Sequence, residues 1–353
     1  MDGVRLPMQG LFDIINIPLS FILKYIAEVF NGNFAAAVFV FTLLINVVLI
    51  PLSIKSQKST VQQTRIKPKL DELKKRYGDD KQKYSAAMQE LYQQEGVSMG
   101  AGGCLPMLFR LVLLMSIYWL ILSPLTYMAG ADKAQVQNVT TAISENLTEM
   151  KKADKEKYET ISKKIPGKGG VGNNELVVVR LIRDEPELIR EILSDKEYKK
   201  IEKDLDAITE KFEKADIDFD LFGLDLTETP EFSWNIFKKF QPIWLIPICA
   251  FLAQMLTSVL SMYAQKKNNP EAPSMAGMML TMPLISLFIG FGLPGGVGFY
   301  WICSSLVGGF IQFALQVFYG PYKLLSRERA KELAERCDFE RKQLDKLGGS
   351  VEE

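Results

Sequence analysis

The chain has 353 residues, 48% hydrophobic and 24% charged, with 42 Lys+Arg balanced by 42 Asp+Glu and no histidine. The absence of histidine excludes Ser-His and Cys-His nucleophile pairs, His-ligated zinc and HExxH intramembrane proteases. The averages would suit one or two ordinary domains, but they hide strong segregation of apolar and charged stretches along the chain.

The first ten residues, MDGVRLPMQG, form neither a cleavable signal sequence nor an Arg/Ser-rich transit peptide. Leu11 to Phe30 is apolar but interrupted by Asp13, Pro18, Lys24 and Glu28. It reads as an amphipathic helix in the outer membrane interface, with a poor sixth span as the alternative, and residues 1–33 form an external segment.

Four uncharged stretches follow, and one span needs about 20 apolar residues. They run from Phe34 to Leu52 (about 19 residues), Leu111 to Ala131 (about 21), Phe240 to Gln265 (about 26) and Ala272 to Tyr322 (about 51). The last is long enough for two spans and is broken by Leu293-Pro294-Gly295-Gly296-Val297-Gly298, a sequence suited to a hairpin turn. Five spans are therefore expected, at 34–53, 105–128, 242–264, 275–293 and 297–319. The expected fold is an all-α polytopic membrane protein: a five-helix transmembrane core, a cytosolic helical hairpin and a small external α/β insertion.

The 54–103 loop holds about ten Lys/Arg, and the 320–353 tail is also rich in them, whereas the 293–297 turn has none. Placing the positive loops inside puts the N-terminus outside, the 54–103 loop and the C-terminal tail in the cytosol, and 129–240 outside. The loop predicts two polar helices, about 55–77 and 80–95, with Lys67-Pro68 marking a kink or helix start. It has few large apolar residues, so it is either a mobile partner-contacting hairpin or a merely solvated one.

The 129–240 region predicts a charged helix over about 132–164, a glycine turn, a β-rich run Glu175-Leu176-Val177-Val178-Val179-Arg180-Leu181-Ile182, a second charged helix over about 185–214, and alternation at Ile217, Phe219 and Leu221. The turn Gly167-Lys168-Gly169-Gly170-Val171-Gly172 fits a phosphate-loop pattern by letter. Asn173 and Asn174 stand where the second Lys and the Ser/Thr should be, and no strand precedes it, so it reads as a flexible turn. None of the four cysteines falls in this region, so no disulfide framework is expected.

Chemistry-bearing residues inside the spans are few. No Asp or Glu lies in any of the five, which disfavours an aspartyl protease or a carboxylate proton pump. Arg110 stands roughly 11 Å up the second span from the Gly102-Gly103 turn, and Asn46 roughly 13 Å up the first from Lys55, at about 1.5 Å per residue. An arginine facing lipid there costs about 2.5–3.5 kcal/mol on insertion scales, so it should face a bundle interior or a wet cavity unless it snorkels to the cytosolic interface. Thr42 lies one turn from Asn46; Gln254, Ser258 and Ser261 share spacing on the third span; Ser304, Ser305 and Gln312 line the fifth. Each is also ordinary helix–helix glue when taken singly. Together they suggest an inner-leaflet polar groove, open to the cytosol and closed outside, that would shorten the apolar distance a client's hydrophilic segment must cross.

These residues resemble the YidC/Oxa/Alb family of membrane protein insertases, in its short bacterial form with an enlarged external loop. The resemblance is carried by Thr42-Leu43-Leu44-Ile45-Asn46 and Ile50-Pro51-Leu52 in the first span, Pro68-Lys69-Leu70 and Gly78-Asp79-Asp80-Lys81-Gln82 in the hairpin, Gly102-Gly103-Cys104-Leu105-Pro106 opening the second span, and Met282-Pro283 with Leu293 to Trp301 around the last two. It covers about residues 10–130 and 216–325 and leaves out 131–215. It implies a non-enzymatic insertase and chaperone of the bacterial plasma membrane with no cofactor or metal. Its clients would be nascent membrane proteins, with the Sec translocon, the ribosome and the signal recognition particle machinery as candidate partners and no specific nucleic acid.

Client contact is implied near the first and last spans, including Tyr300 and Trp301. Many bacterial members place the groove arginine at the position of Asn46 and a glutamine at that of Arg110, so the polar pair is exchanged here. The competing class, a small-solute channel or secondary transporter, would need inverted repeats or a midplane carboxylate, neither of which is present in the sequence.

Overall fold

The computed structural model describes residues 8–78, 80–96, 104–165, 174–230, 240–268, 276–318 and 321–346. In chain order the helices are α1 (Met8–Val29), α2 (Phe34–Val48), α3 (Ile50–Tyr77), α4 (Lys81–Gln94), α5 (Cys104–Leu122), α6 (Pro124–Tyr127), α7 (Lys133–Ala153), α8 (Lys155–Lys164), α9 (Asn174–Asp184), α10 (Pro186–Ile192) and α11 (Asp195–Ala215). Strands β1 (Asp220–Leu221) and β2 (Leu224–Asp225) follow, then α12 (Leu245–Asn268), α13 (Ala276–Gly290), α14 (Gly295–Phe318) and α15 (Pro321–Lys346). Among the described residues, two stretches are long and apolar enough to cross a membrane, Pro242–Ala264 and Gly295–Phe318, and α2 with the opening turns of α3 makes a third if they form one bent span. Val112–Leu122 and Thr281–Gly290 are shorter apolar helices.

The chain folds as two compact units. The first comprises Met1–Val47, Leu111–Ser258 and Met275–Gly309. Its helical ends meet around the glycines that open α14. A β-carbon on Gly296 would lie 3.1 Å from Phe34 of α2 and 3.2 Å from Ile121 of α5, and one on Gly298 would lie 2.5 Å from Ile246 of α12. Glycine at these positions leaves room for the side chains of Phe34, Ile121 and Ile246 to lie against the α14 backbone. Farther along the same helices, a β-carbon on Gly309 would lie 2.3 Å from Thr257, so α12 and α14 keep the same intimacy.

The insertion within this unit is mostly helical: the strand expected at 175–182 is a helix, and one short hairpin is the β-structure described in it. The run 175–182 lies in α9, with Leu176, Val178, Val179, Arg180 and Leu181 all buried. Three consecutive valines favour a strand locally, but that preference is weak beside burial against α7 and α10. Glu175 in the first turn and Arg183 in the last also suit the helix dipole. Helix α7 buries Val136, Val139, Thr140 and Ile143, and α11 buries Ile201, Leu205, Ile208 and Phe212, each set at helical spacing. A capping box between Ser194 and Glu197 starts α11.

The alternation at 217–221 produces only a two-residue-per-strand hairpin, Asp220 opposite Asp225 and Leu221 opposite Leu224. Its two-residue loop, Phe222-Gly223, takes positive φ at both residues, as a tight twisted hairpin demands. Just before it, Asp218 exchanges backbone hydrogen bonds with Gly32 (2.9 Å) and Phe34 (2.9 Å), and Phe219 stacks on Phe34 at 4.9 Å. Gly32, at φ +77°, is required there: a β-carbon would lie 1.8 Å from the Asp216 carbonyl oxygen.

The second unit comprises Val48–Arg110, Val259–Ser274 and Phe310–Glu353. Helices α3 and α4 form the hairpin, and α15 packs along α3. Pro68 sits inside an uninterrupted α3 rather than starting a helix. Asp80 caps α4 by accepting hydrogen bonds from the amides of Gln82 and Lys83, both at 3.1 Å, and these amides hold its carboxyl below the usual range. Lys69 pairs with Glu95 across the hairpin.

Candidate functional site

The polar positions expected inside the spans fall on both units. On α2, Thr42 is buried and donates its hydroxyl to the Val38 carbonyl at 2.6 Å. Half-buried Asn46 donates its amide to the Thr42 carbonyl at 2.8 Å. Two successive side chains thus return their donors to the helix that carries them, which lets polar residues sit in an apolar helix without an external partner.

On α12, Gln254 accepts a hydrogen bond at 2.6 Å from Ser286 of α13, whose hydroxyl also lies 2.8 Å from the Pro283 carbonyl. Ser286 was not among the expected site residues. Its signal in the sequence is its place as a polar residue one turn after a mid-helix proline in a largely apolar helix. Ser258 is half-buried on α12, as are Ser304 and Ser305 on α14. Tyr300 is buried, and Trp301 beside it is half-buried. Arg110 occupies the second turn of α5, but its side chain lies outside the described residues, as do Gly102-Gly103 and the 167–172 glycine turn.

A second polar cluster escaped the sequence reading. Arg180, 6% exposed, stands 3.2 Å from Glu228 and 3.8 Å from Asp225. Neighbouring Arg183 pairs with Asp225 and Asp184. Burial would raise the Asp225 carboxyl, but hydrogen bonds from Thr227 and Arg183 outweigh it and hold it below the usual range; the bonds to Asp184 and Asp225 push the Arg183 guanidinium up.

The backbone of this acidic segment also reaches α14: Gly295 donates to the Glu228 carbonyl at 2.6 Å and Gly296 to that of Leu226 at 2.7 Å. The two arginines therefore tie α9 to the residues that hold the glycine-packed end of the last apolar helix. Only the pairing of Arg180 and Arg183 three residues apart hints at this in the sequence, because Asp225 and Glu228 lie more than 40 residues away.

A third contact joins the insertion to α6. Glu175 accepts the Thr126 hydroxyl at 2.8 Å and the Thr126 amide at 3.1 Å. Burial pushes its carboxyl up to about 7, against the opposing pull of those hydrogen bonds. No group of three or more metal-ligating side chains is present among the described residues.

The sequence matches the family described as 60Kd inner membrane protein over residues 25–165 and 205–320. It is 38% identical over 121 residues to the membrane protein insertase YidC of Pseudomonas entomophila, 37% over 121 residues to that of Thioalkalivibrio sulfidiphilus, and 39% over 121 residues to that of Pseudomonas syringae pv. tomato. In each case the match takes in 34% of this chain and only 21% of the relative's length.

Proposed function

The chain belongs to the YidC/Oxa/Alb family, that of the 60Kd inner membrane protein, and on that premise we propose that it is a non-enzymatic insertase that inserts newly made membrane proteins and helps them fold. The observation that carries the reading is the set of polar side chains held inside apolar helices: Thr42 and Asn46 on α2, and Gln254 of α12 paired with Ser286 of α13. Polar groups at such depth suit a hydrophilic groove between apolar helices.

In this reading Arg110 supplies the positive charge of the groove and draws acidic residues of the client's translocating segment inward. Asn46, Thr42, Gln254, Ser258, Ser304 and Ser305 hydrogen-bond its polar backbone, and Tyr300 and Trp301 contact its apolar part. The N-terminus is outside and the C-terminus cytosolic in a bacterial plasma membrane. The 54–103 hairpin recruits clients, alone or beside the Sec translocon, from the ribosome or the signal recognition particle machinery.

Complementation of an insertase-depleted bacterium tests the reading. Arg110→Ala should fail for clients with acidic N-terminal tails, and the exchanged pair Asn46→Arg/Arg110→Gln should restore them. Equal growth of Arg110→Ala and the unaltered protein on such clients would remove the arginine from the mechanism. Purified protein in liposomes should insert a small single-span client without an added energy source, whereas solute flux without insertion would identify a transporter.

A further inference from the structure

We infer that the cavity between α1 and the α6–α7 corner holds the phosphate of an anionic phospholipid, with its acyl chains laid along α1. This rests on the placement of α1 at the outer membrane face in the functional reading above.

Helix α1 is turned so that Ile14, Ile17, Phe21 and Tyr25 form an exposed stripe at helical spacing, Phe21 and Tyr25 each 69% exposed. The polar residues Asn16 and Ser20 face inward and are buried. Water is a poor neighbour for such a stripe and lipid a good one.

A cavity of about 300 Å³ opens beside the stripe and takes Ile17 and Phe21 as its apolar wall. Lys24 and Lys133 line its other side, and no carboxylate lines it. Lys24 makes no ion pair among the described residues, although Glu28 stands one turn along the same helix and borders an adjoining cavity of about 340 Å³. In that second cavity the other cations are engaged: Lys211 donates to the Gly130 carbonyl at 2.9 Å, and Lys214 pairs with Glu210 at 2.6 Å. Lys24 therefore brings to the edge of an apolar surface an ammonium that is in no ion pair among the described residues.

Two side-chain hydroxyls at the cavity, Ser20 and Thr126, narrow the headgroup. Ser20 gives its proton to the Ile17 carbonyl at 2.7 Å and Thr126 gives its proton to Glu175, so both present lone pairs and act as acceptors. A phosphate cannot use acceptors, but a headgroup that adds hydroxyl donors to its phosphate can. Phosphatidylglycerol has this combination: a phosphodiester for the lysines and glycerol hydroxyls for Ser20 and Thr126.

Native mass spectrometry of the full chain in detergent, titrated with phosphatidylglycerol or phosphatidylcholine of matched chains, tests the site without depending on insertion activity. The unaltered protein should retain phosphatidylglycerol in preference to phosphatidylcholine, and Lys24→Gln/Lys133→Gln should reduce that preference by roughly fivefold per lysine removed. Lys199→Gln/Lys200→Gln, two exposed lysines on α11, should leave it unchanged. Equal loss in both double variants would reduce the effect to bulk charge and overturn the site, as would no preference in the unaltered protein. Displacement of the lipid by inorganic phosphate at equal concentration would make the ligand a free anion and overturn the assignment to lipid. Unchanged melting temperatures in detergent separate lost binding from lost fold, and complementation by Arg110 variants reports on the insertase reading independently.

Discussion

The 129–240 insertion and the 54–103 hairpin are both charged helical segments of similar composition, and they are held together differently. In the insertion, α7 and α11 each bury four residues on one face and α9 is buried on nearly every side. In the hairpin, α4 buries nothing, and the described fully buried apolar side chain of α3 is Ile66. Charge content therefore does not tell whether a helix has a core; the spacing of its few apolar residues does. The insertion should behave as a rigid, independently stabilised body, and the hairpin as an element whose order depends on caps, ion pairs and α15.

The largest effect should come from cutting into the core of the insertion. Ile208 is fully buried, and Ile208→Ala should cost about 2–5 kcal/mol. Leu91→Ala, at a half-buried hairpin position, should cost less than about 1 kcal/mol. Hydrogen exchange on the full chain in detergent would read both: the first should deprotect α7 and α11 together, the second only α4. Deprotection of the hairpin to the same extent by Leu91→Ala would erase the distinction between the two regions.

Next in size is the anchor of the insertion on the last apolar helix. Glu228→Ala leaves Arg180, buried and with Nε and Nη1 already unpartnered among the described residues, dependent on Asp225 at 3.8 Å. A loss of about 1–3 kcal/mol is expected for such an uncompensated group, together with faster exchange at the Gly295 and Gly296 amides. Loss of stability without a change at those amides would mean that α9 and α14 are not coupled through this segment.

The contact of Glu175 with Thr126 should make the same region pH-sensitive. Its carboxyl is raised from 4.5 to about 7, so between those values the folded state binds a proton that the unfolded chain has released. Its contribution is therefore full below about pH 4.5 and declines as pH rises toward 7, by an amount on the order of 1–3 kcal/mol at most, given 1.36 kcal/mol per unit. Glu175→Gln keeps an acceptor for Thr126 and should flatten the dependence. A melting temperature that falls between pH 5 and 7 in the unaltered protein and stays level in the variant checks the sign.

The apolar helices and both hairpin helices were legible in the sequence, because hydrophobic length and helical spacing are local properties. The helix at 174–184 was not: Val177-Val178-Val179 has the local chemistry of a strand, and only packing from α7 and α10 decides otherwise. At the site, Asn46 and Gln254 were legible as polar residues in apolar runs. Ser286 was passed over because its partner Gln254 lies 32 residues away, and the cluster of Arg180, Asp225 and Glu228 because residues 45–48 apart show no sequence spacing that marks them as neighbours.

The smallest effect should distinguish the two regions most sharply. Lys69 and Glu95 join α3 to the end of α4, with the lysine side chain 58% exposed and the glutamate 19%. Exposed pairs contribute about 0.2–1 kcal/mol, and a double-mutant cycle with Lys69→Ala and Glu95→Ala should return a coupling in that range. Because the pair is open to solvent, the coupling should shrink toward zero near 1 M salt, where the screening length is about 3 Å. The same salt should leave the α7–α11 core unaffected, since burial of Val139 and Ile208 does not depend on ionic screening. Salt that loosens the hairpin while the insertion stays protected identifies one as electrostatically tethered and the other as held by a core; equal protection at both salt concentrations would show that α3 and α4 are ordered by apolar contacts instead.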